Sequence, residues 1–217
     1  MHLADANVLY ETSRIAVSRV GVLMGKVAVL TNDLQYDLVN KNEERIRAIE
    51  EATPSFSRFL NEIRRRGHHV LHLQLVNLPD DPIAERYEGR LPAQRGTQGV
   101  EILPVFLDES DILVEKNKDS GFFETDLHER LQSLGVDTVI VTGMQGQICV
   151  QTTAADAFFR GYNVWVPSDC VVSARDKDRI RALDWLDGYC ATVAESDEIL
   201  RTLDVEGGLP RKVFVTP

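Results

Sequence analysis

The sequence has little of what disulfide-rich, membrane-spanning or nucleic-acid-binding proteins need. Only three cysteines occur in 217 residues, which is too few for a disulfide framework, and no C-x-x-C pair indicates a zinc site. No apolar run approaches the length of a transmembrane helix. The 24 basic residues are outnumbered by 34 acidic ones, so we expect no nucleic-acid-binding surface. Free thiols are typical of a reducing compartment, so we predict a cytoplasmic protein. We also expect that it does not bind a membrane.

Short β-branched runs alternate with amphipathic segments along most of the chain. Strands are predicted over residues 27–30, 70–76, 111–115, 139–142, 162–167 and 191–193, and helices over residues 43–66, 124–134, 150–160, 176–189 and 197–203. Pro54 predicts a break of the first long helix near Thr53. This alternation predicts an α/β protein with three αβα layers and a mainly parallel, Rossmann-like sheet.

One domain is expected over residues 26–205, because the chain is too short for two α/β domains. Residues 1–25 have loose helical spacing but no place in the sheet, so they are predicted to be an N-terminal helical extension that packs on the domain or on a neighbouring subunit. Asp5 and Glu11, together with the lack of an apolar core, argue against a signal peptide there. Residues 206–217 are expected to be a peripheral tail.

Three chemically complementary side chains follow three of the predicted strands. Asp33 follows the first strand, Lys116 the third and Cys149 the fourth. Right-handed crossovers bring the carboxyl ends of parallel strands to one edge of the sheet, where open α/β sheets bind ligands. A lysine and helix amides favour a thiolate, and a carboxylate can accept and return its proton. The set indicates covalent acyl chemistry, whereas Cys149 alone could equally be a small buried residue.

Three motifs resemble those of the isochorismatase-like cysteine hydrolases, the superfamily that includes nicotinamidases, N-carbamoylsarcosine amidohydrolases and ureidoacrylate hydrolases. The motifs are residues 32–37 (NDLQYD), 116–127 (KNKDSGFFETDL) and 143–150 (GMQGQICV). They occur in the family's order and spacing, and the resemblance covers residues 27–203. The three motifs together indicate the family far more specifically than any one of them alone.

The resemblance implies a role for each of the three side chains. Asp33 would be the base, Lys116 the stabilising cation and Cys149 the nucleophile. Lys118, the second lysine of the motif, is out of the family's register and is expected to be solvated.

The resemblance also implies the surroundings of the nucleophile. The Met144–Gln145 peptide bond is expected to be cis, and the amides of Gln145 and Cys149 to form an oxyanion hole. Glycine replaces the usual threonine at Gly146 and the usual alanine at Gly121, which leaves the substrate's identity open. The candidate substrate-binding residues are Gln35, Tyr36, Leu38, Phe122 and Met144.

No metal and no other cofactor is expected. Nicotinamidases bind a metal through an aspartate and histidines, including a D-x-H sequence after the second strand. Residues 75–79 (LVNLP) stand at that place and contain no histidine. The histidines at positions 68, 69 and 72 belong to the second strand itself, so a structural role is predicted for them.

Together, the residues and the resemblance predict a hydrolase of carbon–nitrogen bonds other than peptide bonds. It would act on a small-molecule amide, ureide or lactam through a covalent thioester. The cysteine favours this over the vinyl-ether chemistry of family members that replace it. A lactam hydrolase and a catalytically silent binding module are the alternatives. Family members are commonly dimers or tetramers, so a homo-oligomer is expected. Residues 78–100 form a long predicted loop, which is typical of a lid or binding loop.

Overall fold

The computed structural model describes residues 26–78, 80–86 and 90–213, over which β-strands are interspersed with α-helices. The strands are β1 (Lys26–Asn32), β2 (His69–Leu75), β3 (Ile112–Lys116), β4 (Val136–Met144), β5 (Asn163–Pro167), β6 (Val171–Val172) and β7 (Thr192–Ala194). The α-helices are α1 (Tyr36–Val39), α2 (Glu43–Arg65), α3 (Leu127–Ser133), α4 (Gln151–Phe159), α5 (Asp176–Tyr189) and α6 (Ser196–Glu206). The predicted extension at residues 1–25 lies outside the described residues.

The strands form one parallel sheet in the order β3-β2-β1-β4-β5-β7, with β6 paired to the end of β4. From β1 the chain builds the sheet in one direction through β2 and β3, and from β4 it builds in the other. The carboxyl ends of β1 and β4 therefore flank the point where the strand order reverses, which is where such sheets bind ligands. The predicted αβα fold is confirmed.

Helices cover both faces of the sheet, and each face has its own apolar cluster. Along β1, Val27 and Val29 belong to one cluster and Ala28 and Leu30 to the other, as the two-residue period of a strand requires. The first cluster includes apolar residues of α2 and α6, and the second includes residues of α3, α4 and α5. Each large aliphatic side chain buried there contributes roughly 1.5–3 kcal/mol.

The predicted break in the first long helix is wrong, because α2 runs through Pro54 without interruption. Pro54 lies on the exposed side of the helix, and Thr53 donates from Oγ1 to the Ile49 carbonyl at 2.7 Å. The buried face continues on both sides of the proline, with Ile49 before it and Phe56 after it. Packing of this face outweighs the proline penalty of about 3 kcal/mol.

Two further boundaries differ from the predictions. Helix α3 begins at Leu127 rather than near residue 124, since Glu124 has a left-handed φ of 52° that cannot continue a helix. The described part of the C-terminal tail, up to residue 213, is held to the sheet: Asn163 donates to the Leu209 carbonyl at 2.9 Å and Trp165 to the Pro210 carbonyl at 3.2 Å.

None of the helices described here combines the length and apolar character needed to cross a membrane.

Gly143 permits the close approach of β4 to β1 at the point where the strand order reverses. It pairs with Asn32 and has a φ of 107°. A Cβ atom at this position would come within 3.0 Å of the backbone N, C and O atoms of Asn32. No side chain can be accommodated there unless the two strands separate.

We therefore expect Gly143→Ala to lower the free energy of unfolding by more than about 2 kcal/mol, since it combines a left-handed φ with a clash against backbone. Gly188→Ala is the matched control: Gly188 lies in α5, and no atom lies within 4 Å of the place that a Cβ would take. That change should raise the free energy of unfolding by about 0.5–1 kcal/mol. Urea denaturation measures both, and a Gly143→Ala protein as stable as the wild type would contradict the argument.

Candidate active site

A cavity of about 170 Å³ lies at the carboxyl ends of the central strands. Asp33, Met144, Gln145 and Cys149 line it, and they follow or end the strands β1 and β4. A larger groove of about 540 Å³ lies between α2 and the β6–α5 region, but none of the three predicted catalytic residues lines it. The smaller cavity is therefore the candidate active site.

Asp33 is placed by the turn that ends β1. Its φ is 57°, a left-handed value that aspartate tolerates better than most residues. Its backbone amide donates to the Leu73 carbonyl at 3.1 Å, which ties the turn to the neighbouring strand β2. The residue is 2% exposed. A buried carboxylate held in a sparsely populated conformation is typical of functional sites.

Lys116, the last residue of β3, supplies the partner of that carboxylate. Its Nζ lies 3.0 Å from Asp33 Oδ1 and 3.1 Å from Oδ2. Nζ also donates to the carbonyls of Lys118 at 3.1 Å and Asp119 at 3.2 Å. The angles favour a hydrogen bond to Oδ2 only, so Asp33 Oδ1 can still accept from another donor.

Lys118 differs from Lys116 in each of these respects. Its side chain is 44% exposed and forms a 3.2 Å ion pair with Asp81. The structure therefore places Lys116, rather than Lys118, against Asp33, as the register of the second motif predicts.

Cys149 lies on a single π-helical turn, Gly146–Val150, that joins β4 to α4. The Met144–Gln145 peptide bond just before it is cis. Cys149 and Asp33 line the same cavity, and the charge of Asp33 influences the thiol. Sγ donates to Asp119 Oδ1 at 3.7 Å. Cys149 thus lies near the Asp33–Lys116 pair, and its thiol contacts a second carboxylate.

Burial dominates the electrostatics of this group. It raises the pKa of the Cys149 thiol well above its usual value, and the Asp33 charge raises it further, while Lys116 opposes both. Burial also raises the pKa of Asp33 against the lowering effect of Lys116. For Lys116, burial lowers the pKa, but Asp33 and Cys149 raise it by more. Lys116 lowers the pKa of the Cys149 thiol, as predicted, but burial and Asp33 together raise it by more. The resting site therefore holds a neutral thiol beside the Lys116–Asp33 ion pair.

The two predicted oxyanion donors are the backbone amides of Cys149, within the π-helical turn, and of Gln145, directly before it. The amide of Gly146 donates to Ser173 Oγ at 3.2 Å. The amides of Ile148 and Val150 donate to the Gln145 carbonyl at 3.0 and 3.3 Å. None of these three contacts involves the amides of Gln145 or Cys149.

Two of the five predicted substrate contacts, Leu38 and Met144, line the cavity. Gln35 does not, and that prediction is corrected. Its side chain is fully buried, with Nε2 donating to the carbonyls of Leu75 and Val100 at 2.8 and 2.7 Å and Oε1 accepting from the Leu75 amide at 2.8 Å. With these bonds made, Gln35 joins the end of β1 to β2 and to the following loop.

Tyr36 and Phe122 are also not among the residues that line the cavity. Tyr36 begins α1, and its backbone amide donates to the Glu101 carbonyl at 3.1 Å. Phe122 is 3% exposed and stacks on Tyr162 in the second apolar cluster, with 6.0 Å between ring centroids. Phe122 is part of the core, because its ring packs on Tyr162 and does not line the cavity.

The described part of the loop over residues 78–100 forms one wall of the cavity through Ile83, Leu91 and Pro92. Asp37 holds this loop in place, accepting from the Ala93 amide at 2.9 Å and from Arg90 at 2.6 Å. The prediction that the loop is a lid or binding loop is consistent with this position.

Sequence reasoning missed Asp119, whose side chain reaches the nucleophile. It also missed Lys41 and Arg45, which line the cavity from the α2 side. The signal for Asp119 was present, since it stands inside the second motif and three residues after Lys116. Nothing in the sequence pattern brings Lys41 and Arg45 to the cavity, because they lie beyond the short helix α1.

Among the described residues, no histidine lines the cavity. His72 is buried in β2, where its two ring nitrogens contact Thr31 Oγ1 at 2.6 Å and Asp111 Oδ2 at 2.9 Å. The described residues contain no group of three or more histidine, cysteine, aspartate or glutamate side chains that could hold a metal ion. That the protein needs no metal stays a prediction.

Comparison with known proteins identifies the family. The family model described as "Isochorismatase domain" matches residues 27–198. The "Uncharacterized isochorismatase family protein YaaI" of Bacillus subtilis (strain 168) is 38% identical over 93 residues, which are 42% of this chain and 51% of YaaI. The matched region thus spans about half the length of that relative.

Solved structures match over a larger part of the chain. An isochorismatase-like hydrolase from Alkaliphilus metalliredigens has a TM-score of 0.71 at 29% identity, covering 82% of this chain and 99% of its own. N-carbamoylsarcosine amidase from Thermoplasma acidophilum has a TM-score of 0.70 at 29% identity, covering 79% of this chain and 97% of its own. With a family model matched over well more than half of its residues, this chain belongs to the isochorismatase domain family and has the fold of the isochorismatase-like hydrolases.

Proposed function

We propose that this protein is a cysteine-dependent amidohydrolase that cleaves a carbon–nitrogen bond of a small amide or ureide. The observation that carries the proposal is the buried ion pair of Asp33 with Lys116, at 3.0 Å, together with the position of Asp33 and Cys149 in the wall of one cavity. The similarity to an amidase supports a hydrolase of amides. The cavity volume of about 170 Å³ is smaller than the roughly 300–1,000 Å³ of typical drug-sized ligand sites, which favours a small substrate.

The first step is transfer of the Cys149 proton to Asp33. Before transfer the site holds the Lys116 ammonium, the Asp33 carboxylate and a neutral thiol. After transfer it holds the ammonium, a thiolate and a neutral carboxyl group. The net charge is unchanged, so no additional charge is buried, and this matters because an uncompensated buried charge is strongly unfavourable.

The thiolate then attacks the carbonyl carbon. The new Sγ–C bond converts the carbonyl oxygen to an oxyanion, which the amides of Gln145 and Cys149 would stabilise. The intermediate collapses as the C–N bond breaks, and the nitrogen takes the proton from Asp33 and leaves as ammonia or an amine. Asp33 next accepts a proton from water, whose oxygen attacks the thioester. Collapse releases the acid, and the proton returns to Sγ.

A lactam hydrolase would use the same groups, with the leaving amine held in the product by its ring. A silent binding module would keep the fold but would not need a thiol coupled to Asp33. For an enzyme of this type, a reducing cytoplasm is the proposed compartment, since the chemistry needs the free thiol that Cys149 has. A homo-oligomer involving residues 1–25 also stays a proposal, which light scattering would test.

Substitution of the catalytic residues tests the division of labour. Cys149→Ala should abolish turnover, because no other group can form the acyl intermediate. Asp33→Asn keeps the shape but cannot accept a proton, so a loss of about 10²–10⁴-fold in kcat is expected. Ammonia or amine release across a panel of amides, ureides and lactams measures both. Lys118 lines the cavity but pairs with Asp81 rather than Asp33, so Lys118→Ala should have little effect. Substantial activity in Cys149→Ala would refute the covalent mechanism.

Alkylation of Cys149 by iodoacetamide should respond to pH in opposite directions in two variants. Lys116 lowers the thiol's pKa and Asp33 raises it. Lys116→Ala should therefore move the alkylation midpoint to higher pH, whereas Asp33→Asn should move it to lower pH although turnover is lost. Mass spectrometry after timed labelling gives the midpoint for each protein.

The other two cysteines are internal controls in that experiment. Burial raises the pKa of all three thiols, so the pKa does not distinguish them. Cys149 lines the active-site cavity, whereas Cys170 and Cys190 do not. Because a reagent can reach Cys149 through the cavity, Cys149 should react far faster than both. Equal labelling of the three thiols would favour the binding-module alternative.

Exhaustive chelation should leave the activity intact, since no described histidine lines the cavity and the proposed steps use side chains and backbone amides only. The measurement is ammonia release before and after dialysis against a chelator, with back-addition of zinc, iron or manganese. A large loss that a metal restores would show the metal-free reading to be wrong.

A further inference from the structure

The residues that follow β6 hold the turn that carries the proposed oxyanion donors. Ser173 is 4% exposed, and its Oγ accepts from the Gly146 amide at 3.2 Å and donates to Gln147 Oε1 at 2.7 Å. The next residue, Ala174, donates from its amide to Gln145 Oε1 at 3.0 Å. Neither Ser173 nor Ala174 lines the active-site cavity. Their contacts therefore act on the turn and not on a substrate.

The peptide group between Gln145 and Gly146 is held at both ends, since its N–H donates to Ser173 Oγ and its carbonyl accepts from two amides of the turn. Those amides belong to Ile148 and Val150, at 3.0 and 3.3 Å. The side chain of Gln145 is held as well, by the residue after Ser173. With the carbonyl carbon, Cα and Cβ of Gln145 fixed, the tetrahedral geometry at Cα also fixes the position of its nitrogen. That nitrogen carries one of the two proposed oxyanion donors.

Gly146 leaves the room that the Ser173 hydroxyl needs. A Cβ at this position would lie 3.0 Å from both Ser173 Oγ and Val171 Cγ1, closer than the roughly 3.5–4.0 Å at which non-bonded carbon atoms pack best. Strand β6 pairs with the end of β4, which brings Ser173 to this place. The missing side chain of Gly146 and the hydroxyl of Ser173 thus fit together.

We infer that Ser173 is a positioning residue for the oxyanion hole, which holds the Gln145 amide in place by accepting a hydrogen bond from the Gly146 amide. This rests on the proposed function and deepens it, because it names the group that fixes one of the two proposed donors. Ser173 is not itself catalytic, since it does not line the cavity. Donors that are fixed in advance need no reorganisation when the oxyanion forms, so their position affects the rate of the chemical step.

The substitution Ser173→Ala tests this on the best substrate of the amide, ureide and lactam panel. The Gly146 amide loses its acceptor and the turn can shift, so kcat should fall by about 10–100-fold, because a misplacement of about 1 Å can cost 10²-fold. KM should change by less than about threefold, because the donors act mainly on the charge of the transition state.

Alkylation of Cys149 distinguishes a positioning role from a general disturbance of the site. Iodoacetamide reacts at its methylene carbon, so its reaction with the thiol forms no oxyanion. Ser173→Ala should therefore leave the rate and the pH midpoint of Cys149 alkylation unchanged while turnover falls. A merely structural change at the turn would displace Cys149 and alter both measurements together.

Ser196→Ala is the matched control. Ser196 is fully buried, donates from Oγ to Asp169 Oδ2 at 2.6 Å and does not line the active-site cavity. Both substitutions thus remove a buried, hydrogen-bonded hydroxyl, and urea denaturation should show a lower midpoint for each. Only Ser173→Ala should lower kcat.

Gly146→Ala disturbs the same hydrogen bond from the other side, and it serves where Ser173→Ala does not fold. The new Cβ would lie 3.0 Å from Ser173 Oγ, so the hydroxyl has to move away from the amide of residue 146. The kcat should again fall by about 10–100-fold with alkylation of Cys149 unchanged. In the double variant the two losses should not add, because both substitutions remove one contact.

The outcomes separate this inference from the proposed function. The role of Ser173 would be overturned by a kcat in Ser173→Ala equal to that of the wild type or of Ser196→Ala. A parallel loss of turnover and alkylation, or additive losses in the double variant, would overturn it too. In each case the amidohydrolase proposal stands. A wild-type protein that releases ammonia or amine from no substrate of the panel would instead overturn the proposed function and this inference with it.

Discussion

The buried ion pair between Lys116 and Asp33 is the contact on which the rest of the site depends. It joins the end of β3 to the end of β1 across the intervening strand β2. A buried pair gains little over a well-packed apolar pair, but loss of one partner leaves an uncompensated charge that costs about 3–5 kcal/mol. Such a pair is therefore poor evidence for a purely structural role. In the proposed mechanism its use is chemical, since it would let the Cys149 proton move to Asp33 without a change in the net charge of the site.

Backbone geometry brings the thiol to this pair. Strand β4 approaches β1 closely at Gly143, and the π-helical turn then carries Cys149 back over the end of β1. The left-handed turn at Asp33 does the same for the carboxylate from the other side. Each of these features is strained or sterically demanding by itself. They occur together where the strand order reverses, which is where a cavity forms between the two halves of the sheet.

The sequence was sufficient to predict the fold and the proximity of Asp33, Lys116 and Cys149, and the reasons are the same. Strand patterns that alternate with helix patterns predict a parallel sheet. A parallel sheet brings the residues at the ends of β1, β3 and β4 to one edge, whatever the paths of the loops. Pro54 was misread because a local signal, the missing amide, competes with the packing of a long helix face, and only the tertiary structure shows which is stronger. Glu124 was misread because nothing in its residue type indicates a left-handed φ.

The substrate-facing residues were predicted less well, because they lie on loops whose paths depend on distant contacts. Gln35 stands beside Asp33 in the same motif, yet its amide is used to join three backbone segments. Asp119 stands among residues of the second motif that pack inwards, yet its carboxylate faces the nucleophile. Neighbouring residues of one motif thus either pack in the core or line the cavity. The backbone conformation around each residue sets the direction of its side chain. The residues at strand ends can therefore be placed from order and spacing alone, whereas the side chains that loops bring to the cavity require the structure.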